Sequence, residues 1–253
     1  MKNKRVLISG GSGYLGTQLA AALAGSHDVI LADRDEARNR ASSRSTGCPA
    51  MHMEVTDLKS VRQAVLATRP DVIIHAAASK YVDRAEKGPL ECSDVNVLGS
   101  QNIARAAMEY DCGLVVGISS NRAAPPTDDT YGLTKAIMER LFCSLNGKTN
   151  TLFTSVRLGN IAWSTGSVLP IWQRMLDESS VITTTGPDSR RFFLQIDEAV
   201  KLVTSCIARA DEFQGKVLAP RLKQARIKDI LTKFIEMKGG SWKHGEPRLQ
   251  GYP

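Results

Sequence analysis

Cysteine and histidine are both scarce in this 253-residue chain, five and four respectively, and neither clusters. Cys48, Cys92, Cys112, Cys143 and Cys206 are odd in number, scattered and without a Cys-x-x-Cys pair. That spacing argues against a disulfide framework or a zinc site and for reduced thiols, as in the cytoplasm. The histidines also lack ligand spacing, so no metal is expected. No apolar run approaches the ~20 residues that span a bilayer. Met1-Lys2-Asn3-Lys4 leads into a predicted strand and does not read as a signal peptide. Internal repeats and low-complexity stretches are also missing. What is present, 42% hydrophobic and 23% charged residues, suits one large α/β domain with a small additional lobe.

The net charge of +7 is uneven, with nine Lys/Arg against three Asp/Glu from Lys216 onward. These cations are spaced singly and not interleaved with aromatics, so no nucleic-acid partner is expected. A pocket for phosphorylated ligands or an anionic membrane surface would each suit such a segment.

Strand-like and helix-like patterns alternate along the chain. Strands are predicted at Lys4–Ser9, Asp28–Ala32, Asp71–His75, Leu114–Ser119 and Thr151–Arg157. Helices are predicted at Tyr14–Ala24, Asp57–Ala67, Leu90–Met108 and Thr130–Leu145. Short apolar strands separated by helices imply a doubly wound parallel sheet covered on both faces, with ligands at the strands' carboxyl ends. After Gly159 the regularity weakens. Helices are predicted at Val168–Leu176, Asp197–Ala210 and Ile227–Glu236, and a strand at Gly215–Ala219. Residues 164–167 and 183–188 read as loops. Residues 1–160 are expected to form the dinucleotide-binding domain. Residues 161–253 would form a smaller substrate lobe, with some segments returning to the main sheet.

Gly10, Gly13 and Gly16 follow a strand and open a helix, the context in which a glycine triplet holds a pyrophosphate. Gly10 allows the tight turn, Gly13 close backbone approach and Gly16 close helix packing; Tyr14 and Leu15 begin the helix beside them. A glycine-rich turn without a ligand is the bland alternative. Asp33, ending the second strand, can accept from both adenosine ribose hydroxyls, which favours NAD over NADP. Arg34 could instead pair with a 2′-phosphate or lie over the adenine. Asp57 and Leu58 are placed for the adenine edge, although Asp57 could equally be a helix N-cap. Ala76, Ala77 and Ala78 leave room for the cofactor's second half.

Tyr131 and Lys135 share a helical face at i, i+4. A phenol with pKa ~10 is a poor base at neutral pH. A nearby ammonium and an oxidised nicotinamide ring would favour the phenolate, letting Tyr131 take a proton from a sugar hydroxyl that Ser120 also holds. A surface tyrosine and a solvated lysine are the alternative.

His75-Ala76-Ala77-Ala78-Ser79-Lys80, Asn96-Val97-Leu98-Gly99-Ser100, Tyr131-Gly132-Leu133-Thr134-Lys135 and Arg157-Leu158-Gly159-Asn160 run through the chain in that order. Gly166-Ser167-Val168-Leu169-Pro170 and Arg191-Phe192-Phe193 follow, the latter shortly before Asp197-Glu198-Ala199-Val200. With these motifs the chain resembles the extended short-chain dehydrogenase/reductase superfamily. Within it, the resemblance is to the polysaccharide-biosynthesis branch of inverting UDP-N-acetylglucosamine 4,6-dehydratases and nucleotide-sugar epimerases. It implies a Rossmann-type fold, a nicotinamide cofactor and a nucleotide-sugar substrate, with a UDP-sugar favoured. It places Lys80 at the active-site mouth and Asn96 near the cofactor. Asn160, Ser167, Val168 and Arg191 would lie against the nucleotide.

Family dehydratases carry an Asp-Lys pair after the serine as acid and base for elimination; here those places hold Asn121 and Arg122. An amide is no acid and a guanidinium no base. A C4 epimerase, a keto-sugar reductase and a dehydratase therefore all stay open, as does a non-catalytic dinucleotide-binding protein. The family normally continues beyond the point where this chain stops, so the lobe is expected to be trimmed or completed by another subunit. Apolar residues on more than one face of Leu90–Met108 and Thr130–Leu145 predict a homodimer built on a four-helix bundle.

Overall fold

The computed structural model describes residues 3–245. Met1 and Lys2 of the N-terminal run, and Glu246 and Arg248 of the basic segment, lie outside the described residues. The elements are, in order, β1 (Arg5–Ser9), α1 (Tyr14–Leu23), β2 (Asp28–Asp33), α2 (Glu36–Thr46), β3 (Ala50–His52), α3 (Leu58–Thr68), β4 (Val72–His75), α4 (Val82–Lys87) and α5 (Pro89–Ser93). A π-helical turn at Asp94–Leu98 leads into α6 (Gly99–Glu109), then β5 (Leu114–Ser120), a 3-10 turn at Asn121–Ala123, α7 (Thr130–Leu145) and β6 (Leu152–Leu158). Next come β7 (Asn160–Ile161), α8 (Val168–Ser179), β8 (Val181–Thr184), β9 (Arg190–Leu194), α9 (Ile196–Ala208), α10 (Ala210–Phe213) and β10 (Val217–Leu218). The series ends with β11 (Lys223–Arg226), α11 (Ile227–Lys238) and β12 (Ser241–His244).

The chain divides into two compact units. The first runs through Leu158 and takes in Asp197–Pro220; the second holds Gly159–Ile196 and continues from Arg221.

In the first unit seven strands lie in the order β10-β6-β5-β4-β1-β2-β3, every pair parallel. This is the doubly wound parallel sheet expected from alternating apolar strands and helices. Residues 72–75 and 114–117 are fully buried, as strands covered on both faces must be. The chain steps outward from β1 to β3, then returns to β4 on the other side of β1. That reversal opens a crevice above the carboxyl ends of β1 and β4, where ligands of such sheets bind. One core cluster joins Leu7, Ile73 and Val115 of the sheet to Val61, Ile103 and Phe142 of the helices. A Cβ on Gly117 of β5 would meet the Phe142 ring at 2.7 Å, so the lack of a side chain there lets α7 lie close on the sheet.

The second unit holds β11-β9-β7 and the parallel pair β12-β8 around Trp172, Ile182, Leu231 and Phe234. Residues 183–188, expected as a loop, contribute Thr183 and Thr184 to β8. β-Branched threonines fit a pleated strand once a partner is present. The single helix expected at Leu90–Met108 is three segments, broken by the π turn.

Candidate active site

The glycine turn fits a dinucleotide. Gly10 has φ +67°, and a Cβ there would meet the Ala77 backbone nitrogen at 2.6 Å. A Cβ on Gly16 would sit 2.6 Å from the Gly10 carbonyl oxygen. Any side chain would therefore push the turn away from β4 or α1 away from the turn. Gly13 N–H donates to Gly10 O at 3.0 Å and Gly13 caps α1 without a side-chain bond. By contrast α2, α3 and α7 are each capped by an aspartate: Asp35, Asp57 and Asp129. The first turn of α1, with Tyr14 and Leu15 partly exposed, thus offers backbone N–H groups and a positive dipole end where a pyrophosphate would be held.

Around the turn, Ser12 Oγ donates to Asn39 Oδ1 at 2.5 Å. Asn39 in turn donates to the Asp33 and Met51 carbonyls, both at 2.9 Å. Arg38 Nη2 donates to Ser12 O at 3.3 Å. The Asp33 carboxylate accepts from Asp35 N–H at 3.3 Å. Arg34 pairs with Glu54 at 3.7 Å. Asp57 accepts from Lys59 N–H at 2.8 Å as the cap of α3, whose first residue is the partly exposed Leu58. Ala76 N–H donates to Ser9 O at 3.0 Å, and Ala76, Ala77 and Ala78 remain partly exposed. Exposed Lys80 lies 5.4 Å from the centroid of the Tyr81 ring; partial burial and the Arg38 guanidinium lower its pKa.

Tyr131, Lys135 and Ser120 come together at the end of β5. Lys135 is 2% exposed and its Nζ donates to Ile118 O at 2.8 Å. Burial pushes this ammonium down to about 8, against the pull of the Cys92 thiol and the Glu139 carboxylate. Burial pushes the Tyr131 phenol up to about 12, opposed by its bond to Ser120 and by the Arg122 guanidinium. The Arg122 guanidinium thus acts on the phenol from the 3-10 turn. It is fixed there by Asp129, which accepts from Arg122 Nη1 at 2.5 Å and from Gly132 N–H at 2.7 Å. Asn121 opens the 3-10 turn. Glu86 accepts from Thr130 N–H at 2.6 Å and steadies the start of α7.

Asn96, expected beside the cofactor, is fully buried with its amide spent inside the chain. Its Oδ1 accepts from Ser79 N–H at 2.8 Å, and its Nδ2 reaches Ser79 O and Thr134 Oγ1, both at 3.0 Å. It is a clamp between the Ala76–Ala78 segment and α7. His75, also fully buried, bonds Ser9 Oγ at 2.7 Å and Ser100 Oγ at 3.0 Å. Sequence reading passed over Asn39, Arg38, Asp129, Glu86 and Glu139. Of these only Asp129, an aspartate before a helix, carried a local signal.

In the second unit Asn160 Nδ2 donates to Phe192 O at 3.0 Å and Arg191 Nη1 to Arg190 O at 3.0 Å. Ser167 precedes Val168, the first residue of α8, and its Oγ is buried with no hydrogen-bond partner. Among the described residues no group of His, Cys, Asp and Glu could hold a metal ion. None of their helices is long and apolar enough to cross a membrane.

A doubly wound sheet with a glycine turn after β1 and Tyr-x-x-x-Lys on α7 is the architecture of the extended short-chain dehydrogenase/reductases. The chain belongs to the family described as "Polysaccharide biosynthesis protein", whose pattern matches residues 6–250. It is 32% identical to an uncharacterized membrane protein of Methanocaldococcus jannaschii, over 93% of this chain and 72% of that protein. It is 30% identical to the inverting UDP-N-acetylglucosamine 4,6-dehydratase of Campylobacter jejuni, over 90% of this chain and 70% of the relative. A UDP-glucose 4-epimerase of Rickettsia bellii is 29% identical, over 92% and 70%. Among solved structures, Pen from Bacillus thuringiensis superposes with a TM-score of 0.90 at 28% identity, covering 99% of this chain and 79% of that one. The Thermus thermophilus UDP-glucose 4-epimerase, solved in complex with NAD, shares the fold at a TM-score of 0.86 and 18% identity, over 98% and 88%.

Proposed function

We propose that this protein is a nicotinamide-dependent nucleotide-sugar enzyme that oxidises its substrate, a UDP-sugar, at C4 and works as a C4 epimerase. The relatives above, dehydratase and epimerase alike, support the substrate class. The observation that carries the choice of epimerase is the Arg122–Asp129 pair at 2.5 Å. A guanidinium held by a carboxylate cannot remove the C5 proton, and the Asn121 amide is too weak an acid to protonate a departing C6 hydroxyl. Elimination of water therefore lacks both of its agents, while oxidation at C4 keeps its own.

Gly10, Gly13, Gly16 and the first turn of α1 hold the cofactor in this reading, with Asp33 on the adenosine ribose and Lys80 at the mouth. NAD is preferred over NADP because Asp33 repels a 2′-phosphate, and Arg34 is committed to Glu54. When bound, the dinucleotide supplies a hydride acceptor for the sugar C4. Tyr131 moves the proton at O4, and Ser120 orients that hydroxyl. Arg122 and Lys135 supply the positive charge that a phenolate needs in a buried setting. Asn160, Ser167, Val168 and Arg191 bind the nucleotide part. We also assign the protein to the cytoplasm as a homodimer, for which Leu133 and Ile137 of α7 and Leu90 of α5 offer exposed apolar surface.

Incubation with NAD and a panel of UDP-, GDP- and dTDP-sugars, followed by mass and retention, tests the assignment. A product of unchanged mass and altered retention is expected. Loss of one water from the product would make it a dehydratase, net consumption of NADH or NADPH a reductase, and tight dinucleotide binding without turnover a binding protein.

A further inference from the structure

Three consecutive residues of β5 each grip one residue of α7, and the gripped residues are four apart. Ser120 bonds Tyr131, the Ile118 carbonyl accepts from Lys135 Nζ at 2.8 Å, and Ser119 Oγ donates to Glu139 Oε1 at 2.5 Å. The first two contacts belong to the active site already described. The third does not, and its carboxylate is only 4% exposed. Arg157, opposite Ser119 in the β5–β6 register, closes the cluster with Nε on Oε1 at 2.8 Å and Nη2 on Oε2 at 2.7 Å.

A buried carboxylate is costly, and removing one partner of such a pair leaves the other unpaired. An apolar pair at positions 139 and 157 would fill the same space without that cost. We propose that Glu139 is a positioning residue of the reaction, the third anchor of α7 on β5 and the counter-charge to the Lys135 ammonium one turn away. The inference rests on the assignment of Tyr131 and Lys135 to catalysis.

The charged and titratable groups around the pair are few. Lys135 faces Cys92 from α5, His75 from β4, and Glu139 on its own helix. Burial drives His75 down to about 3, so it carries no charge at neutral pH. Burial raises the Cys92 thiol, with Glu86 of α4 and Asp129 opposing its ionisation from the N-terminal end of α7 and Lys135 favouring it. Glu139 faces Arg157 from β6 and Cys143 on α7. Among the described residues Glu139 is the carboxylate that pulls on Lys135, which burial pushes down to about 8. Losing the carboxylate while Arg157 stays makes the ammonium harder to keep.

The test is a titration of the Lys135 Nζ by nitrogen-detected NMR on the dinucleotide-free protein, with the signal assigned through Lys135→Arg. Glu139→Gln keeps the shape and one acceptor oxygen for Ser119 Oγ and Arg157 Nε, and gives up the bond from Arg157 Nη2 together with the charge. It should lower the Lys135 midpoint by about one pH unit, the size expected of one nearby charge partly balanced by a second. The alkaline limb of kcat should move down with it, while dinucleotide Kd changes less than about threefold. Glu139→Met with Arg157→Met, an apolar replacement of the whole pair that buried ion pairs commonly tolerate, should still lower the midpoint, by less because the opposing Arg157 charge is removed too, if Glu139→Gln does not fold. An unmoved Lys135 midpoint in either folded variant overturns the proposal. The titration uses neither sugar nor turnover, so an enzyme inactive on every sugar would overturn the epimerase reading and leave this result standing.

Discussion

The two units treat their polar side chains in opposite ways. In the first, the side chains around Tyr131 and Lys135 are buried and bonded to one another: Asn96 to Thr134, His75 to Ser9 and Ser100, Glu139 to Arg157. In the second, Asn160 and Arg191 bond to backbone carbonyls at their exposed edge, above a cluster of Trp172, Ile182, Leu231 and Phe234. Buried polar networks fix geometry because each broken bond leaves an unpaired partner in low dielectric. Exposed side chains on backbone carbonyls exchange those bonds for water or ligand at small cost. That contrast supports the proposal that the reacting groups belong to the first unit and nucleotide recognition to the second.

The largest blow to that contrast comes from Tyr131→Phe. If Tyr131 moves the O4 proton as proposed, its loss should lower kcat by about 10³-fold, within the span of general acid–base catalysis. Dinucleotide Kd, measured by calorimetry, should stay within about twofold. A kcat within tenfold of wild type would show that the proton at O4 moves by another route. Arg191→Ala should do the reverse, raising KM for the nucleotide sugar about tenfold or more through loss of a charge-assisted bond, with kcat nearly unchanged. If kcat falls and KM does not, the division of labour between the units is wrong.

The smallest effect concerns the buried histidine. His75 is driven to about 3 in the folded chain, from 6.5. Between those values the unfolded chain binds a proton that the folded chain refuses, so stability falls as pH drops through that window and is unaffected above it. The slope cannot exceed about 1.4 kcal/mol per pH unit from this one group. Denaturant midpoints of His75→Gln measured from pH 7 to pH 4 should be flatter with pH than those of the wild type.

Much of the first unit was legible because its signals are local. β1, the glycine turn and α1 follow one another within twenty residues, and α7 has the predicted bounds. One departure there, α2, is hidden by composition: Glu36–Thr46 buries only Asn39 and Ser42, so no apolar stripe marks it. Asn39 itself acts through Ser12, far away in sequence, and nothing beside it announces that. Glu139 was missed for the same reason, since its partners come from β5 and β6. The pairing of Tyr131 with Lys135 was read from spacing. The burial that lifts the phenol and the guanidinium that opposes it are properties of the packed structure. Beyond Gly159 the strands are short, two to five residues, and a run of that length carries too few alternations for its period to be read.

The π turn at Asp94–Leu98 spends one residue more per turn than the helix on either side. Had the segment stayed regular, every side chain after it would be rotated by about 100° relative to those before. Asn96 reaches back to Ser79 while Ser100, four residues later, reaches His75 and the Asn96 carbonyl. A single-residue deletion here would therefore act as a change of gearing: both ends could remain helical, yet only one could still mesh with its partners.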